Sequence, residues 1–260
     1  MMGNGIAYRG HLTIPAGRLG RTASDLWRLL SATRARQVLA AWMTIWIFLE
    51  LFNLFRGNAH DQVVAWSLFI CAGSTVAVWT YRDVLTGWVR KWGASPRTKF
   101  IVIGSLGAAF AEYVFWQMER MYGITGVAAN PNLAIDLLVT MPWYIMMIAL
   151  LWKVQTRYKY GFAELFVLGG VYELGADGLV GSVMGGTFSA ITIPSLIALV
   201  PFFSLVYAIM VIPCSAMMRD EVDAIRNLRP APAGNRYSYA MLPWLGLIPY
   251  FILAFMMILG

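Results

Sequence analysis

Residues 190–212 read AITIPSLIALVPFFSLVYAIMVI, 23 positions without a charged side chain. A helix rises 1.5 Å per residue and the hydrocarbon core of a bilayer is about 30 Å thick, so about 20 apolar residues cross it. Ala190–Ile212 is long enough. Nothing between Gly178 and Met218 is charged, so its start is blurred, and Gly181, Gly185 and Gly186 are expected to mark the turn before it. Six other stretches qualify: Val38–Phe55, Val63–Tyr81, Phe100–Gln117, Asn132–Trp152, Phe162–Leu179 and Tyr239–Leu259. The expected fold is an all-α transmembrane bundle of about seven spans, formed by residues 38–260 behind a basic segment, 1–37.

Composition agrees. The 260 residues are 59% hydrophobic and 13% charged, with a mean hydropathy of +0.64. A soluble domain is about 45–50% apolar and about 25% charged. Disordered, collagen-like and disulfide-rich classes are excluded by the same figures. Cys71 and Cys214 lie in different apolar runs, and the two histidines, His11 and His60, lie in different polar ones. That argues against a structural disulfide, a bis-histidine haem, a histidine metal site or an HExxH protease. No metal or other cofactor is expected. The net charge of +7 fits basic loops that meet anionic lipid, not nucleic acid.

Basic residues set the orientation. Of 20 Lys and Arg, only Arg56 and Arg120 fall outside the N-terminal segment and the alternate loops on its side. The positive-inside rule then places the N-terminus in the cytoplasm and the C-terminus outside. No secretory signal is read in the first 36 residues, which hold six arginines and no apolar run. The default location is a bacterial inner membrane. Ser24-Asp25-Leu26-Trp27 suggests the cap of a short interfacial helix with Trp27, Leu29 and Leu30 toward lipid. There is no internal repeat of the kind many transporters carry. Trp66, Trp79, Trp116 and Trp152 fall near span ends, where indoles settle. Pro142, Pro194, Pro201, Pro243 and Pro249 interrupt spans and are expected to bend them.

The acidic residues carry the functional signal. Glu50, Glu112, Asp136, Glu164, Glu173 and Asp177 lie within predicted spans, whereas Asp61 and Glu119 are assigned to outer loops. Counting at 1.5 Å per residue puts Glu50, Glu112 and Glu173 about 18–20 Å from the cytoplasmic side and Asp177 about 24 Å. Asp136 falls one turn below the outer surface. Glu164 sits at the cytoplasmic edge, where Lys159 or Arg157 can answer it. Glu173 and Asp177 are spaced i,i+4 and share a face. Glu112 and Glu119 are spaced i,i+7 and share one if their helix continues past Gln117. A face with two carboxylates cannot look at lipid, because an ionised acid at the bilayer centre costs about 2.5–3.5 kcal/mol or more. No Lys or Arg lies in the middle of any span, so the five deeper acids cannot all be charged in a dry site. Protons or a shared cation must balance some of them.

Tyr122, Tyr144, Tyr172, Trp116 and Trp143 are candidates to line an apolar substrate cavity beside these acids. Gly170-Val-Tyr-Glu-Leu-Gly-Ala-Asp-Gly178 places two acids among glycines and suggests a locally unwound helix. Gly169-Gly170 and Gly178-x-x-Gly181 suit close helix contact.

Several helices, buried acids and aromatics, and no metal ligands, resemble the layout of integral-membrane terpene cyclases and carotenoid hydratases. The segment from Glu112 through Tyr122-Gly123 to Pro142-Trp143-Tyr144 is similar to the hydratase pattern over about 35 residues, without a specific motif. The resemblance implies acid–base chemistry on a lipid or isoprenoid. Glu112 and Asp177 are then the candidate acid and base, supported by Asp136 and Glu173, and aromatic faces would stabilise a carbocation. Two other classes fit the acids: a proton- or cation-coupled transporter, and a non-catalytic subunit whose acids pair with basic residues of another membrane chain. The odd span count, the lack of a repeat and the off-centre acids weigh against the transporter.

Overall fold

The computed structural model describes residues 16–180, 193–230, 233–248 and 252. These residues are helical throughout apart from short connections, with no strand among them. The order is α1 (Ala16–Ser31), α2 (Arg34–Arg56), α3 (Ala59–Thr80), α4 (Arg82–Lys91), α5 (Pro96–Tyr122) and α6 (Leu133–Gln155). Then come α7 (Phe162–Glu173), a π-helical turn (Leu174–Val180), α8 (Ile193–Met217), α9 (Arg219–Asn227), α10 (Arg236–Ala240) and a 3₁₀ turn (Leu242–Gly246). Five helices are long and apolar enough to cross a membrane: α2, α3, α5, α6 and Pro194–Met217 of α8. This is the architecture of a multi-pass membrane protein.

Local chemistry sets the ends. Asn58 caps α3 by accepting from the Asp61 amide, and Asp61 returns a bond to the Asn58 amide. Ser95 caps α5 and Pro96 opens it. Gly123, at φ 65°, ends α5 in the left-handed region that favours glycine. Replacing Asn58 by Ala is expected to destabilise the protein by about 1 kcal/mol, the usual worth of an N-cap, read as a lower unfolding midpoint in detergent. An unchanged midpoint would mean that the α2–α3 turn is held by packing alone.

α8 is the central helix and packs against α2, α3, α5 and α7. Its apolar character on every side follows from that position: Val206, Met210 and Val211 are fully buried. Glycines bring the neighbours in. Gly107 of α5 lies against the backbone of Ile209 and Met210, and Gly170 of α7 against Ser204 and Val200. Gly169-Gly170 therefore makes the close contact its pattern suggests; Gly181 lies outside the described residues, as do Gly185 and Gly186.

Several expectations do not hold. Ser24 does not start a helix: α1 begins at Ala16, Ser24 donates to the Arg21 carbonyl, and Asp25 pairs with Arg82. Trp27 is exposed, whereas Leu29 packs against the core. Glu119 is no loop residue but lies buried in the last turn of α5, which runs on past Gln117. Glu164 pairs with Arg236, not with Lys159 or Arg157. Its neighbour Tyr237 and Glu164 push the Arg236 guanidinium above its ordinary pKa. The described part of Tyr239–Leu259 opens as a short helix and a 3₁₀ turn instead of one continuous helix, because Pro243 sits in the first turn of the latter. Residues 249–251 and 253–260, Pro249 among them, lie outside the described residues. Pro194 falls in the first turn of α8, where a missing N–H costs nothing, while Pro201 and Pro213 sit inside it.

Arginines and tyrosines close the end of the bundle that carries α9 and α10. Arg226 donates to the Gln155 and Tyr158 carbonyls, and Arg219 to that of Tyr160. These are carbonyls that the end of α6 and its loop leave without helical partners. Tyr160 donates to the Arg236 carbonyl at 2.5 Å. Burial pushes its phenol up to about 12.

Candidate functional site

Four carboxyl groups converge from three segments: Glu112 on α5, Asp136 on α6, and Glu173 and Asp177 on α7 and its π turn. Glu112, Asp136 and Glu173 are buried. Glu112 lies 16 residues after Pro96, about 24 Å along α5. The fifth deep acid, Glu50, is buried on α2 with Asn53 as its partner and stands apart from the four.

Each acid is met by a hydrogen-bond donor from a neighbouring segment. The Tyr144 hydroxyl donates to Glu112 Oε1 at 2.5 Å. The Trp143 indole donates to Glu173 Oε1 at 3.1 Å. The Tyr207 hydroxyl donates to Asp177 Oδ2 at 2.6 Å. Asp136 Oδ1 accepts from the Asn130 amide at 2.9 Å, and its carboxyl is near enough to that of Glu112 for the two to interact. The rings of Tyr144 and Tyr207 stack at 6.3 Å, and Phe203 stacks on Tyr207 at 6.1 Å. Glu173 Oε2 and Asp136 Oδ2 are buried without a hydrogen-bond partner among the described residues. Unsatisfied carboxyl oxygens are costly in an apolar interior and mark places where a proton, water or substrate group belongs.

The π turn explains how Glu173 and Asp177 both reach partners. π turns occur inside α-helices often at functional sites, because the widened turn re-aims side chains. Glu173, the last α-helical residue, meets α6 through Trp143. Asp177, inside the π turn, meets α8 through Tyr207. The glycine-rich segment is thus not unwound but wound more widely. Gly175 lets Trp244 and Leu247 approach the turn at 3.0–3.1 Å from where a Cβ would stand.

The five aromatics divide. Trp143 and Tyr144 join the acids. Tyr122 accepts from the Trp66 indole, Trp116 donates to the Pro131 carbonyl beneath Arg120, and Tyr172 donates to the Ala240 carbonyl. Those three tie loops and neighbouring helices together. Tyr207 was not singled out from sequence; its only signal is a hydroxyl three residues after Ser204 in an otherwise apolar helix.

Glu119 has a structural task. Its carboxylate accepts from the Val127 and Ala128 amides and holds the loop between α5 and α6. Replacing Glu119 by Ala strands two amides and is expected to cost about 1–3 kcal/mol, seen as faster proteolysis of the 123–132 loop. Proteolysis at the wild-type rate would assign that loop's order to Trp116 and Asp136 instead.

Among the described residues, no group of three or more His, Cys, Asp or Glu is placed to hold a metal ion. No hydrogen bond or ion pair joins the four acids to a Lys or Arg among them. No known family model, curated protein or solved structure matches this chain.

Proposed function

We propose that the chain is a seven-span protein of a bacterial inner membrane, N-terminus cytoplasmic and C-terminus outside, whose carboxyl cluster performs acid–base chemistry on a lipid or isoprenoid. The observation that carries this reading is the convergence of four carboxyl groups with two stacked tyrosines and no cationic partner among the described residues. Such a cluster is balanced by protons, and protons held in an apolar aromatic site are what alkene protonation requires.

The residues divide into two sets. Glu112, beside Asp136 and bonded by Tyr144, delivers a proton to an alkene carbon, and the carboxylate left behind is steadied by the Tyr144 hydroxyl. The π electrons form the new C–H bond and leave a carbocation, which the faces of Tyr144, Tyr207 and Trp143 stabilise. Asp177, oriented by Tyr207 and supported by Glu173, takes the closing proton. If water adds to the cation, that proton comes from the water and the product is an alcohol. If a second alkene adds, it comes from carbon and the product is a ring. The reaction is therefore of hydratase or cyclase type.

Expression in a host that makes linear isoprenoids tests the reading. A product heavier by one water indicates hydration, and an isomer of unchanged mass indicates cyclisation. If the products are the same in D177N and E112Q cells as in wild-type cells, these assignments are wrong. A specific observation favours one other reading, a subunit of a larger complex: α2 is almost unburied, with Val38, Ile45, Phe48, Phe52 and Phe55 exposed along it. Stoichiometric release of this chain with another membrane polypeptide in mild detergent would favour that role.

A further inference from the structure

A second polar site lies at the end of the bundle where α1 and the starts of α2, α4 and α7 meet the end of α3. It is a pocket of about 380 Å³ lined by Arg28, Arg36, Arg82, Asp25, Trp79 and Phe162. Arg82 is committed to Asp25 at 2.9 Å and lies over the Trp79 ring. Arg28 and Arg36 bond no carboxylate among the described residues, so the pocket keeps two positive charges in excess. Trp79 is 8% exposed, and its indole N–H is buried without an acceptor among those residues. A buried donor left unpaired costs free energy, and the residue that carries it lines the pocket. Phe162 packs edge-on against Trp79, which gives the polar wall an apolar base.

We infer that this pocket binds the phosphate group of an anionic membrane lipid. Guanidinium forks match phosphate oxygens, and an indole N–H supplies one more donor. The lipid source is favoured by the elements that flank the pocket. α1 and α4 are amphipathic and too short to cross a bilayer, and they expose Trp27 (72%) and Trp88 (66%), the residues that settle at headgroup level. The inference does not depend on the carboxyl cluster, which lies far along α5 from this end.

Native mass spectrometry of the full chain in non-ionic detergent tests it, with short-chain phosphatidylglycerol and inorganic phosphate as separate probes. The expected result is that R28Q/R36Q weakens phosphatidylglycerol binding by about tenfold or more, since charge-assisted hydrogen bonds are worth that much. W79F removes the indole N–H but keeps an aromatic ring and every charge; its smaller ring lowers the unfolding midpoint, so binding is compared at a temperature where both proteins are folded, and there it should be weaker. It decides the matter if the double variant does not fold. Equal phosphatidylglycerol binding by wild type and W79F, together with R28Q/R36Q where that folds, overturns the proposal. Displacement of the lipid by inorganic phosphate at comparable concentration overturns the lipid assignment, because the site would then serve free phosphate.

Discussion

Glu112→Gln is expected to reduce product formation by about 10²–10⁴-fold, the usual contribution of a positioned general acid, with little change in folding. Gln keeps the volume and the acceptor for the Tyr144 hydroxyl, so the bond at 2.5 Å can persist while the transferable proton is lost. Tyr144→Phe should do less, because it removes only the group that steadies Glu112. The pair separates chemistry from packing. If the acid's role is structural, both variants lower the unfolding midpoint together and product per folded molecule stays constant. If it is chemical, Glu112→Gln loses product at an unchanged midpoint. Mass spectrometry of extracted isoprenoids, normalised to folded protein from fluorescence-detected size exclusion, gives both numbers.

The second large effect is on stability. Gly107→Ala should destabilise the bundle by about 3 kcal/mol, at the upper end of what overpacking costs. A Cβ at Gly107 would stand 2.8 Å from the Met210 Cα. That neighbour is backbone of the central helix and has no rotamer to move aside. Gly73→Ala on α3 is the control, since a Cβ there meets nothing within 4 Å. It should be neutral or slightly stabilising through helix propensity. If the two variants unfold at the same temperature, α5 and α8 are not in backbone contact at Gly107.

The sequence made the membrane class and the embedded acids legible, because both follow from one-dimensional counts: length of apolar run, and charged residues within it. Glu112 and the pair Glu173 and Asp177 could be singled out since charge is rare within such runs. Which helix faces which is a different matter. α8 is apolar on all sides, so no periodicity distinguishes the side carrying Tyr207 from the side carrying Ile209. Tyr122, Trp116 and Tyr172 looked equivalent to Trp143 and Tyr144 because an aromatic's polar atom has many uses. Their partners are the Trp66 indole and the backbone carbonyls of Pro131 and Ala240, and carbonyls carry no sequence signal. Glu119 was misplaced because the run that defines its helix ends before the helix does: the last turn, Met118–Tyr122, is half polar but still hydrogen-bonded. The opening of Tyr239–Leu259 failed where apolar composition could not reveal a proline-started 3₁₀ turn.

A π turn holds one more residue than an α turn needs, so positions within Leu174–Val180 drift out of phase with the helix before them. Glu173 keeps time with α7, and Asp177 sits on the shifted azimuth of the π turn. The azimuth that brings Asp177 onto Tyr207 is therefore a matter of chain count, not of composition. Removing a single residue between them, Ala176 for instance, would restore one continuous α register and swing the later carboxyl away from its tyrosine, with every functional side chain still present in the chain.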